Sequence, residues 1–230
     1  MAEHEVDPFI AAQIGKPVPG EHAFDTHHQV VAKPIVAILA CYSGNPAEGE
    51  KAVVPIKSFG TPVGDILVRR PYAQMQSLLD ATQPKGRRYY WKSEYLSRIE
   101  PALCGKAMEH AARICSPQSA VILFQIGGAL NGLSDDHSPV DNRGARYVLN
   151  IAGSWEGADQ DGANVAWARE AWNDMKAFSI GGTYLNFLAE DEGPERVRAA
   201  LGKGLRRLVE VKAKWDPENV FRTNRNIKPA

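Results

Sequence analysis

Apolar positions along the chain fall into two rhythms, and these separate strands from helices. Residues 33–44, KPIVAILACYSG, form a β-branched run closed by a turn, which predicts a strand. In the following NPAEGEKAVVPIKSF, Asn45 precedes Pro46, and Glu48 occupies the third helical position, the arrangement of a capping box. DILVRR at 65–70 reads as another strand, and Pro71 opens a helix carrying Met75, Leu78 and Leu79. RRYYWKSEY at 87–95 is an aromatic strand, and Pro101 starts a helix with Leu103, Ala107, Ala111 and Ile114 on one face. SAVILFQIGG and ARYVLNIAGSW are strands joined by the polar loop LSDDHSPVDNR, a spacing that suits an antiparallel pair. GANVAWAREAWNDMKAF predicts a helix whose stripe is Val165, Ala168, Trp172 and Met175. The chain then reads as strand TYLNF, helix PERVRAAL, helix KGLRRLVEVKAKW with Leu205, Leu208 and Lys212 in register, and the extended tail DPENVFRTNRNIKP.

This order predicts an α+β fold, an antiparallel sheet with helices packed on one face and the other face open. Residues 1–30 lack periodicity and carry KPVPGEH, so they read as an irregular lead-in, with 31–178 the main domain and 179–230 a segment completing it. Period-two alternation groups the strand side chains. Leu149 and Ile151 oppose Asn150, Tyr89 and Trp91 oppose Tyr90 and Lys92, and Leu185 and Phe187 oppose Tyr184 and Asn186. Set opposite the helices, Tyr90, Lys92, Gln125, Asn150, Tyr184 and Asn186 make a face that is polar yet aromatic. It reads either as an ordinary solvated sheet face or as the wall of a ligand site.

Composition narrows the chemistry. The 230 residues contain 27 Lys plus Arg and 27 Asp plus Glu, so no net charge steers the chain toward nucleic acid or an anionic membrane. No apolar run approaches the roughly 20 residues of a membrane span, and no secretory leader is evident. Cys41, Cys104 and Cys115 form no CxxC and are odd in number, which fits thiols in a reducing, cytoplasmic compartment. His22, His27 and His28 lack a carboxylate cluster to complete a shell, so no metal is expected. GGALNG at 127–132 leads into an acidic loop rather than a helix, so it is not a dinucleotide fingerprint.

One string goes further. Tyr184 and Asn186 on a short element, a helix pair, then Asp216, Pro217, Asn219, Phe221, Arg222, Asn224, Asn226 and Ile227 resemble the C-terminal berberine-bridge segment of FAD-linked oxidases. Upstream residues from about 33 resemble the substrate domain of bacterial members. The resemblance implies a sheet whose open face roofs the isoalloxazine ring of FAD, with a substrate C–H giving hydride to the flavin and oxygen reoxidising it. It implies Tyr184 as base, Asn186, Asn224 and Asn226 near the cofactor, and Tyr90, Lys92, Gln125 and Asn150 lining the substrate. A tyrosine of ordinary pKa, about 10, needs help to take a proton at neutral pH; Lys92 is the candidate cation.

Family chains are about twice this long, and their other half binds FAD, so the resemblance implies a substrate half that is incomplete alone. It would act on a small molecule beside a separately encoded FAD-binding domain, or stand as a broken reading frame. The alternative is a non-catalytic α+β binding module that no longer holds flavin. Two departures mark the chain: Leu201, Gly202, Lys203, Gly204 and Leu205 replace a Tyr-Gly-x-Asn-Tyr pattern, and Arg225 replaces a tail glutamine. Gly204 reads as a helix-interior glycine costing about 1 kcal/mol relative to alanine.

Overall fold

A computed structural model describes residues 9–15, 35–135, 137–139, 141–223 and 225–230. Five antiparallel strands form one sheet in the order β2-β1-β4-β5-β3. They are β1 (Phe9–Gly15), β2 (Ile35–Cys41), β3 (Arg88–Leu96), β4 (Ala120–Gln125) and β5 (Tyr147–Trp155). The short helices α1 (Pro46–Ala52), α2 (Val54–Lys57) and α3 (Tyr72–Gln76) follow β2. The long helices α4 (Pro101–Ala112) and α5 (Asp161–Met175) cover one face of the sheet, and α6 (Pro194–Leu201) and α7 (Gly204–Trp215) close the chain. This is the α+β arrangement expected from the pattern.

The local signals work where they are strong. Asn45 accepts a hydrogen bond from Ala47 N at 2.9 Å and so caps α1 as its sequence predicts. α4 buries Leu103, Ala107 and Ala111 against Val121, Leu123, Leu149 and Ile151 of the sheet. α5 is rotated from its expected stripe: Asn164, Trp167, Ala168, Ala171 and Met175 are buried, and Val165 is only half-buried. The small Ala168 and Ala171 let the helix lie close to α4 and the sheet, and Trp167 Nε1 donates to His110 O at 3.0 Å. His110 itself is buried between the two helices, bonded to Asp174 at 2.9 Å.

Three expectations are corrected. Residues 9–15 are a strand rather than part of an irregular lead-in, and β1 sits inside the sheet between β2 and β4. Its identity comes from pairing on both edges, which no local alternation records. DILVRR forms no strand: Asp65 accepts from Leu67 N at 2.9 Å in a tight local turn, and Ile66 and Val68 stay exposed. TYLNF is a single 3₁₀ turn over Leu185–Phe187, closed by Phe187 N donating to Tyr184 O at 2.8 Å. His22, His27, His28 and most of the other lead-in residues lie outside the described residues.

β3 is an edge strand, and residues 180–196 wrap around it. Ile180 N donates to Tyr95 O at 3.0 Å, and the Arg196 guanidinium donates to Ser93 O at 2.8 Å, so these two edge carbonyls are satisfied. The turn into the wrap uses Gly181 and Gly182 at φ 90° and 74°, a left-handed region that side chains disfavour. On the helix side the wrap is held by charge. Lys92, only 5% exposed, lies 3.1 Å from Asp191 Oδ1 and 3.4 Å from Glu192 Oε1. Arg196 bridges Glu94 at 2.9 Å and Glu192 at 2.7 Å, while Trp172 and Ser179 donate to Glu94 at 2.7 and 2.6 Å. Asp191 also accepts from Tyr90 at 2.8 Å and Arg169 at 2.7 Å. Burial pushes its carboxyl upward, but the bonds from Tyr90, Arg169 and Lys92 outweigh that and hold it at about 2.

Gly204 is the first residue of α7 rather than an interior one. A Cβ there would stand 2.9 Å from Pro139 Cα, a backbone atom that cannot swing aside. Gly204→Ala is therefore expected to destabilise the fold by about 1 to 3 kcal/mol in urea melts, against the gain of about 1 kcal/mol that an unobstructed helix would show. Asp191 titrates near 4 when unfolded, so its stabilisation is fully present above about pH 4 and is lost as pH falls toward about 2. Asp191→Asn is expected to lower the urea midpoint at neutral pH and to lose less than the parent on acidification. Equal acid sensitivity in the two proteins would show that Asp191 does not carry this term.

Candidate functional site

The face of the sheet opposite α4 and α5 carries the candidate site. Antiparallel register decides which side chains share it, because directly paired residues point the same way. Ser93 pairs with Asn150 and Trp91 with Ala152, while Asn150 pairs with Ile122 and Val148 with Phe124. These residues, with Tyr89 and Tyr95, form the open face. Phe187 lies on it, with ring centroids 6.3 Å from Trp91 and 5.7 Å from Phe124. Tyr89 stands 5.8 Å from Trp91 along the same strand.

Tyr184 joins this aromatic surface at its rim. Its ring meets Phe187 edge-on at 5.2 Å and 84°, and the residue stays 37% exposed. Asn186 Nδ2 donates to the Tyr184 hydroxyl at 2.8 Å, so the two polar residues of the 3₁₀ turn form one unit. Thr183, fully buried, anchors the start of the turn by a short hydroxyl contact with Ser93. Tyr95 lies deeper. Burial, then the neighbouring Tyr184 and Asp141, push its phenol up to about 12, so it stays a neutral hydroxyl.

Among the residues named from sequence, Tyr184 and Asn186 come together, and Asn150 lies on the open face as expected. Asn150 is buried, and its Oδ1 has no partner among the described residues. Asn226 is half-buried with an Oδ1 in the same condition. Asn224 lies outside the described residues. Tyr90, Lys92 and Gln125 are corrected: they pair with Gly153, Ile151 and Tyr147, whose Leu149 and Ile151 neighbours pack under α4 and α5, so all three belong to the helix-covered side. Lys92 is held there by Asp191 and Glu192 and is not the cation beside Tyr184.

Trp91, Phe124 and Phe187 were missed as members of the open face. Alternation shows which residues of one strand share a side, but only cross-strand register shows which sides match. The ion cluster has a sequence counterpart in the acidic run AEDEG at 189–193, which supplies the two carboxylates beside Lys92. Among the described residues no group of three His, Cys, Asp or Glu is arranged to hold a metal ion, and no helix is long and apolar enough to cross a membrane.

Residues 183–228, the wrap, the helix pair and the tail, match the family model described as berberine and berberine like. An FAD-linked oxidoreductase of Dictyostelium discoideum is 28% identical over 204 residues, covering 84% of this chain and 42% of the relative. Tetrahydroberberine oxidase of Berberis wilsoniae is 26% identical over 180 residues, covering 68% and 33%. Berberine bridge enzyme from Eschscholzia californica superposes with a TM-score of 0.75 at 17% identity over 99% of this chain and 50% of that one, a likeness of fold. The chain thus spans less than half the length of these curated relatives. Its residues 183–228 match the berberine-like family model, and most of the chain is similar to part of longer FAD-linked oxidoreductases.

Proposed function

We propose that the chain supplies the substrate-side wall of a flavin-dependent oxidation site, with Tyr184 as the proton acceptor. The observation that carries this reading is the Asn186 to Tyr184 hydrogen bond at the rim of an aromatic sheet face, inside the segment that matches the berberine-like family. A general base must present an oxygen in fixed orientation to substrate. The Asn186 amide holds the Tyr184 oxygen, the contact with Phe187 holds its ring, and 37% exposure leaves it reachable.

The residues present fit a flavin in kind. An aromatic surface of Trp91, Phe124 and Phe187 suits a planar ring, and the amide oxygens of Asn150 and Asn226, without donors among the described residues, suit its N–H and hydroxyl groups. Asn186, Asn226 and Asn150 are the described residues that would lie toward it, and the family resemblance adds Asn224. When bound, the flavin would supply the two-electron oxidation of a small-molecule substrate. This chain would orient the substrate, exclude water with its aromatic face and accept the proton at Tyr184 Oη. An FAD-binding domain, covalently linked or separately encoded, would hold most of the cofactor, as the length of the FAD-linked relatives supports. The three thiols, none in a disulfide, support a reducing compartment such as the cytoplasm.

Mixed with a flavin-loaded FAD-binding domain, the chain is expected to allow substrate to bleach the visible flavin absorbance. Tyr184→Phe is expected to slow that bleaching by about 100-fold or more, the scale of a lost general base, with the absorbance before substrate unchanged. Bleaching at the full rate by the variant would remove Tyr184 from the role of base.

A further inference from the structure

Arg143, in the loop between β4 and β5, is a buried cation with no counter-charge among the described residues. It is only 6% exposed. Its guanidinium donates to Leu130 O at 2.9 Å and to Ser138 Oγ at 2.7 Å, both neutral acceptors, and its Nε has no partner. Lys92 and Glu94, buried to a similar degree, each form an ion pair. A buried charge is tolerated where an opposite charge answers it. Arg143 lacks that answer.

A second unmet group lies beside it. Asn131 Nδ2 donates to Arg143 O at 2.7 Å and to Ala145 O at 2.8 Å, which fixes the orientation of the amide and leaves its Oδ1 buried without a donor. Arg143 and Asn131 line one cavity of about 560 Å³, together with Leu133, Ser134, Asp135 and Lys203. That volume admits a small molecule. The lining holds two cations and one carboxylate, and the carboxylate, Asp135, is engaged by Lys203 at 3.1 Å. The positive charge left over is the buried one.

We propose that this cavity binds a small oxyanion that carries a hydroxyl, a hydrogen phosphate or a hydroxycarboxylate. The anionic oxygens accept from the Arg143 guanidinium, whose planar fork matches carboxylate and phosphate geometry. The hydroxyl donates to Asn131 Oδ1. Each group then gains the partner it lacks. Water would meet the hydrogen bonds but not the charge, and an anion without an O–H would leave Asn131 unmet. Neither Tyr184 nor Asn186 lines the cavity, so the inference is tested without flavin.

The test is thermal melting of the full chain near neutral pH at fixed ionic strength, with inorganic phosphate, glycolate or acetate replacing part of the chloride. A site with a Kd of about 1 mM is expected to raise the midpoint by about 3 °C at about 10 mM phosphate or glycolate. The larger of those two shifts assigns the ligand to phosphates or to hydroxycarboxylates. Acetate, which has the charge but not the hydroxyl, is expected to give less than half the shift. Leu133→Glu sets a carboxylate into the cavity from a position that is 40% exposed, so the fold is kept. It is expected to abolish the response, whereas Leu133→Gln retains it. Equal midpoints in chloride, phosphate and glycolate overturn the proposal. A response that survives Leu133→Glu overturns it as well, because the anion then binds elsewhere. Acetate matching glycolate overturns the hydroxyl contact with Asn131.

Discussion

Lysine 92 is the constraint on which the rest of the site depends. A cation buried in an apolar sheet layer must be neutralised, since an unpaired charge there costs several kcal/mol. The carboxylates that neutralise it, Asp191 and Glu192, come from the far side of β3 in sequence and space. Arg196 then balances Glu192 and Glu94 and caps the Ser93 carbonyl. The chain must therefore leave α5 at Met175, cross the edge of β3 and return to the helix side by Asp191. Its crossing lays Thr183, Tyr184 and Phe187 on the open face. The position of Tyr184 is a consequence of where Lys92 finds its counter-charge. A buried pair of this kind contributes little net stability over an apolar pair, but breaking it by removing one partner costs about 3 to 5 kcal/mol. Its value here is in fixing one path for the wrap.

That dependence also explains what could be read from the sequence. Strands β2, β3, β4 and β5 and helices α1, α4, α5, α6 and α7 were legible, because cap residues, prolines and long apolar periods are local signals. β1 was not, since a short strand paired on both edges owes its conformation to its neighbours. Which side chains share a face was half legible: the pattern sets Asn150 on the open face and Tyr184 with Asn186, as register and their hydrogen bond have them, but it groups Tyr90, Lys92 and Gln125 with Asn150, whereas register sets those three on the helix side. Burial by paired carboxylates from 99 residues away in sequence leaves the same local pattern as exposure. Register and long-range charge pairing are non-local quantities, and the open face is made of them.

The departures from the family pattern are absorbed by the same principle of exact neighbours. Arg225, where a glutamine is usual, donates to Leu188 O at 2.7 Å and Ala189 O at 2.6 Å, tying the tail onto the returning limb of the wrap. A glutamine has two amide donors but no cation, so the arginine replaces it with a stronger clamp to carbonyl oxygens. Gly202, at φ 46°, lies where any Cβ would strike the Asp141 carboxylate, and that carboxylate accepts from Lys203 N at 3.2 Å. Pro139 abuts Gly204 in the same way. The loop between β4 and β5 thus fills the space that larger side chains would need between α6 and α7. That loop therefore decides which residues the turn between α6 and α7 accepts, since a Cβ at Gly202 or Gly204 would run into it.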